Sequence, residues 1–169
     1  MKTDWEAVYT ATWDDVVRFL SWMLLDDDRA RDLAQEAFAR VLDREADNPR
    51  GLVFRTAANL ARDEARMVVR RKRHLALLKV EREVSSERAP TPAVDLEAKE
   101  KAEQVKAALH ALSETDRQTL VLWNAGFDYT EIAARTGLNK GAIGTTIARA
   151  KKKLMTAYDA IEGTDEAFG

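Results

Sequence analysis

Between residues 53 and 73 the sequence repeats with the period of one helix and no other element. At about 100° per residue, Val53, Ala57, Leu60, Ala61 and Val68 gather on one face. Arg55, Asn59, Arg62, Arg66, Arg70 and Arg73 gather opposite them, within about 40° of the middle of that face. A strand would scatter both sets across its two sides, because its side chains alternate with a period of two. The chain must therefore build a helix here and cover its apolar side with other elements.

The rest of the sequence repeats the same period. "DWEAVYTATWDDVVRFLSWMLL" and "DDDRARDLAQEAFARVLDREA" predict amphipathic helices, the second with acids where the helix dipole favours them. Asn48-Pro49 predicts the start of the arginine-bearing helix, since asparagine caps well and proline suits the first turn, and that helix is expected to end near Lys72. "EREVSSERAPTPAVD" holds two of the chain's three prolines with little apolar content, and reads as a linker over 81–94. A helix from about Asp95 to Leu112 follows, then a capped start at Ser113 with acids in its first turn. The expectation is an all-α chain of two small helical domains, 1–80 and 95–169. Trp5, Trp13, Trp22 and Trp123 sit among apolar helical positions and are expected in the cores.

Charge separates what this period leaves mixed. The net charge is only −2, yet residues 48–80 carry nine basic and two acidic groups, while residues 1–47 carry six and twelve. Six cations and no acid lie within 135–153. Two basic patches on an acidic chain fit a two-point contact with a polyanion. A solvated helix face would mix signs, whereas Asp63 and Glu64 fall off the arginine stripe, which spans about 27 Å at 1.5 Å per residue. Arginine suits such a surface because it is always charged and forks onto phosphates and base edges.

The second patch has helix-turn-helix spacing in "YTEIAARTGLNKGAIGTTIARA": Ala133 at the helix crossing, Gly137 in the turn, Ile143 inside the second helix. Ile143, Ile147, Ala150 and Leu154 form its inward stripe. Gly141, Thr145, Ala148, Arg149 and Lys152 point outward, small enough at first for close backbone approach to DNA and then basic enough to hold phosphates. A protein-binding helical hairpin is the alternative, and an acid-free run of cations disfavours it. No cysteine is present, His74 and His110 lack ligand spacing, and neither a phosphate loop nor a nucleophile paired with a base occurs, so no catalytic group, metal or cofactor is expected. No apolar run approaches the roughly 20 residues that span a bilayer, which points to a cytoplasmic chain.

These motifs together resemble the extracytoplasmic-function sigma factors of the bacterial sigma-70 family. "DLAQEAFARVL" resembles a region-two helix of that family, "NPRGLVFRTAANLARDEAR" the arginine-rich helix ending that region, and "LSETDRQTLVLWNAGFDYTEIAARTGLNKGAIGTTIARAKKKL" region four. The resemblance implies that Asp32, Gln35, Glu36, Phe38 and Ala39 face the β′ clamp helices of core RNA polymerase. It implies that Arg55, Asn59, Arg62 and Arg66, extended by Arg70 and Arg73, lie along the minus-10 element. Asn139, Lys140, Thr145, Thr146, Arg149, Lys152 and Lys153 would then meet the minus-35 groove, and an anti-sigma factor is the expected regulator.

The sequence departs from the family in three places. Leu52 stands where tryptophan is frequent, and Ala58 where a basic residue is common. Gly141-Ala142-Ile143-Gly144-Thr145-Thr146 replaces the usual Gly-Thr-Val-Lys-Ser-Arg, so minus-35 contact should be more phosphate positioning than base readout. The function expected is that of an alternative sigma factor, not an enzyme. A sigma-like decoy for an anti-sigma factor and a stand-alone helix-turn-helix regulator are the alternatives.

Overall fold

The computed structural model describes residues 2–78 and 96–167, and the linker expected over 81–94 lies outside them. Seven α-helices occur among the described residues: α1 (Trp5–Leu24), α2 (Asp27–Val41), α3 (Pro49–Leu78), α4 (Leu96–Leu109), α5 (Glu114–Asn124), α6 (Tyr129–Thr136) and α7 (Ile143–Ala167), the last preceded by a 3-10 turn at Lys140–Ala142. No strand is present among them, and the all-α expectation holds. The helices divide into two compact units, residues 1–90 and 91–169.

The first unit is a three-helix bundle. Each helix starts on a side chain that satisfies an otherwise unpaired backbone N–H: Asp4 accepts from Ala7, Asp26 from Arg29, and Asn48 from Gly51 at 2.9 Å. A Cβ on Gly51 would lie 2.6 Å from Asn48 Nδ2, so the missing side chain lets that cap close. Between α1 and α2 the chain turns on Leu25, a non-glycine residue at φ 57° whose N–H reaches the Ser21 carbonyl at 2.7 Å.

Alanines set the spacing of this bundle. Ala30, Ala34 and Ala37 of α2 and Ala57, Ala58 and Ala61 of α3 are buried, so the backbones approach closely. Larger side chains fill what remains: Val16, Phe19 and Leu20 from α1, Leu33, Phe38 and Val41 from α2, Val53, Phe54 and Leu60 from α3. Phe38 packs against Tyr9 and Trp13, with ring centroids 4.9 and 5.9 Å away, and Phe19 meets Phe54 edge-on at 5.4 Å. Trp5 is buried as expected and its indole donates to the Arg44 carbonyl at 2.9 Å.

Two features of α3 differ from the sequence expectation. It runs to Leu78 rather than ending near Lys72, because Arg-Arg-Lys-Arg-His-Leu-Ala-Leu-Leu contains no residue that breaks a helix. Val68, expected inward, is 38% exposed, since cover from the other helices ends at about the Arg29–Glu64 contact, one turn before it.

The second unit packs α4 and α5 against α7 and lays α6 across them. Its core is Ala108, Leu109, Leu112, Leu120, Val121, Leu122, Phe127, Ile132, Ile143, Ile147 and Ala150. α4 closes at Leu109, three residues before the expected end. Ala111 and Leu112 donate to Ala108 and Leu109 in a tightened turn that leads into the extended Ser113 cap. Gly137 sits between α6 and the 3-10 turn, as the helix-turn-helix reading expects, and at φ 76° it takes the left-handed conformation that favours glycine.

Removing the Phe38 ring deletes the centre of an aromatic cluster. Phe38→Ala should lower the stability of the first unit by about 3–5 kcal/mol, read as a shifted urea midpoint with unchanged slope.

Candidate nucleic-acid interface

Three helix faces carry the residues singled out by the sequence. On α3, Arg55, Asn59, Arg62, Arg66, Arg70 and Arg73 are all exposed, as a single stripe along one side. The buried turn Val53–Ala61 fixes the helix's rotation, so these side chains have no inward alternative. On the packed side of α3, away from the stripe, Glu64 receives Arg29 Nε of α2 at 2.7 Å. That hydrogen bond holds the Glu64 carboxyl below its ordinary value against the effect of burial, with Arg71 adding to the shift. Exposed Asp63 borders the stripe, and five arginines leave the face with an excess of positive charge.

On α2, Asp32, Gln35 and Ala39 are exposed and Glu36 is half-buried. Asp32 pairs with Arg29 at 3.1 Å and Glu36 with Arg40 at 2.5 Å, both within the helix. Exposed pairs of this kind contribute a few tenths of a kcal/mol, so a cationic partner can exchange for either arginine at little cost. Phe38 does not belong to this face. It is 3% exposed and turned into the α1 side of the bundle, where it is core rather than contact surface.

On α7 the inward stripe is Ile143, Ile147 and Ala150, all buried, followed by half-buried Leu154. Lys140, Thr145, Ala148, Arg149, Lys152 and Lys153 are exposed. Asn139 is exposed too, but its side-chain oxygen is spent on the Gly141 N–H at 3.1 Å, which starts the 3-10 turn. Thr146 is a correction. It is 4% exposed and its hydroxyl donates to the Ala142 carbonyl at 2.8 Å, so it faces the core.

The structure also brings together groups that the sequence does not connect. Asp116, near the start of α5, is buried and accepts from Arg149 Nη2 at 2.9 Å and Lys153 Nζ at 3.4 Å. Burial pushes its carboxyl up, but the hydrogen bonds and charges of Arg149 and Lys153 outweigh that and hold it below the ordinary carboxylate value. Trp123 is exposed rather than core, and Lys151 Nζ sits 3.8 Å from its ring centroid. Three cations of the 149–153 cluster are therefore tied to α5. The only sequence signal was the Ser-x-x-Asp spacing at 113–116, which marks a helix start and says nothing of a partner 33 residues away. Among the described residues no group of side chains could hold a metal ion, and no helix is long and apolar enough to cross a membrane.

Residues 102–154, from α4 into α7, match the family model of sigma-70, region 4. A comparison with curated protein sequences gives no match. One similar solved structure is the co-crystal structure of the sigma factor RpoE in complex with the anti-sigma factor NepR from Bartonella quintana. The likeness covers 92% of this chain and 97% of that one, with a TM-score of 0.63 and 21% sequence identity, and it is a likeness of fold. The second unit thus holds a stretch similar to sigma-70 region 4, on a chain whose fold is like that of the solved sigma factor.

Two neighbouring threonines give a direct check on the orientation of α7. Thr145→Arg should fold normally, whereas Thr146→Arg forces a charge into the core and should cost several kcal/mol, seen as an early thermal transition. Asp116 gives a pH dependence. Its folded pKa lies below the ordinary 3.8, so its contribution is present above that value and is lost as pH falls through the depressed one. In denaturation from pH 5 to 2, Asp116→Asn should remove part of the acid-side loss of stability.

Proposed function

We propose that this chain is an alternative sigma factor that binds core RNA polymerase and directs it to promoters. The observation that carries the proposal is the arginine stripe of α3: exposed along its length, held in one rotation by the bundle, and bordered by the acid Asp63 against five arginines. The region 4 match and the sigma-factor fold support it. In this reading the exposed face of α2, with Asp32, Gln35, Glu36 and Ala39, docks on the β′ clamp helices, and paired acids there suit a basic coiled coil. Arg55, Asn59, Arg62 and Arg66 read the minus-10 element, with Arg70 and Arg73 along the adjoining backbone.

α7 enters the minus-35 major groove with its small first turn foremost. Asn139, Lys140, Thr145 and Lys152 line that approach, with Arg149 and Lys153 at its flank. Because few long side chains lie on the leading turn, phosphate positioning dominates over base readout there. The chain works in the cytoplasm, where polymerase and DNA are, and an anti-sigma factor holds it inactive, as the RpoE–NepR complex suggests by analogy.

A second reading is a decoy that occupies an anti-sigma factor without directing transcription. The cations that α5 engages on α7 favour it; the uncovered arginine stripe of α3 opposes it, since a decoy has no use for a DNA face. Transcription in vitro with core polymerase and genomic template separates the two. Specific transcripts establish the sigma factor, while tight anti-sigma binding with no specific transcript at any salt concentration establishes the decoy.

Within the sigma-factor reading, Arg62→Ala and Arg66→Ala should each reduce promoter opening by about tenfold to more than a hundredfold, the value of about 1–3 kcal/mol per base-contacting arginine. Gln35→Ala combined with Glu36→Lys should weaken capture by core polymerase in a pull-down while circular dichroism stays normal. Retained capture would remove α2 from the docking surface.

A further inference from the structure

Asp116 has no part in the function proposed above, yet it engages two of the cations that function would use. Its side chain is 4% exposed, while those of Arg149 and Lys153 are 55% and 53% exposed. The buried partner is the fixed one. The Asp116 N–H is also held by Ser113 Oγ at 3.1 Å, so the carboxylate is anchored in α5 and the long side chains of α7 come to it. Arg149 and Lys153 are one helical turn apart, which lets one carboxylate take both, an oxygen each. A pair with one member out of water is stronger than a surface pair and less screened by salt. The Lys151–Trp123 contact removes a third cation from the same cluster. Lys152 is the member of 149–153 for which, among the described residues, no such partner occurs.

We infer that Asp116 is a specificity-determining residue: by holding Arg149 and Lys153 against α5 it withholds two cations from DNA phosphates. Phosphate contacts strengthen binding to every duplex alike, whereas discrimination comes from base edges and shape. A recognition helix with few base-reading side chains would be dominated by sequence-independent attraction if all its cations were released. Capturing two of them lowers that background and leaves promoter preference visible. This inference rests on the proposal that the second unit binds duplex DNA.

The test is binding of the full chain to a promoter duplex and to a random duplex across a salt series, by fluorescence anisotropy. Asp116→Asn keeps the shape and removes the charge. It should bind both duplexes more tightly, narrow the promoter-to-random ratio, and steepen the log–log salt slope by up to about 1.8, at about 0.9 per phosphate gained. In an Asp116→Asn, Lys153→Ala double variant the added slope should fall by about half. Wild-type binding with an unchanged slope in the Asn variant overturns this inference alone. Weaker binding by the Asn variant overturns it too, since the pair would then be presenting its cations to DNA. If neither protein binds any duplex, the DNA-binding role of the second unit falls with it. Should the Asn variant fail to fold, NMR of the wild-type chain decides. Persistence of the Arg149–Asp116 hydrogen bond on addition of duplex supports the inference, and its loss overturns it.

Discussion

A helix that buries one face has no freedom left in the other, and both units depend on that constraint. In α3 the buried run is Val53, Phe54, Ala57, Leu60 and Ala61; in α7 it is Ile143, Ile147 and Ala150. Rotating either helix to present another face would bring arginine or lysine into an alanine-spaced core, where unpaired charge is very costly. The rotation of each positive face is therefore set by packing on the reverse side. Their side chains are exposed and well placed.

Electrostatics then refines what packing has set, with opposite results in the two units. In the first, Arg29 reaches across from α2 and cancels Glu64 on the packed side of α3. In the second, Asp116 and Trp123 reach across from α5 and engage the cations of α7. The first arrangement raises the positive potential available to a polyanion and the second lowers it. Under the function proposed above, with two contacts to DNA, great strength would not be needed at both. The balance found here puts the greater positive charge on α3.

What the sequence made legible followed periodicity and local chemistry. The rotation of α3, the caps at Asn48 and Ser113, the turn at Gly137 and the inward stripe of α7 all depend on residues within a few positions of each other. What it left hidden depends on neighbours far along the chain. Thr146 lies about 70° from the middle of the buried face at 100° per residue, a borderline that only the packing of the other helices resolves. The resemblance groups Phe38 with Asp32, Gln35, Glu36 and Ala39, which are exposed or half-buried, and its packing on Tyr9 and Trp13 of α1 turns it inward. The Asp116–Arg149 pair joins residues 33 positions apart, and an acid near a helix start already has an ordinary explanation. Trp123 shows the converse: apolar chemistry suggested a core, while its place at the end of α5 leaves the ring outside, under a lysine.

The far half of α3 has a consequence of its own. From Arg66 to Leu75 every residue is exposed, so these turns are supported by backbone hydrogen bonds and side-chain propensity without tertiary cover. Arg66, Arg70 and Arg73 stand three or four residues apart, where like charges disfavour a helix by a few tenths of a kcal/mol per pair. A polyanion laid along that row turns the repulsion into attraction and makes the helix harder to unwind. The number of ordered turns in α3 is then coupled to occupancy, and the rod itself reports whether its charge has been answered.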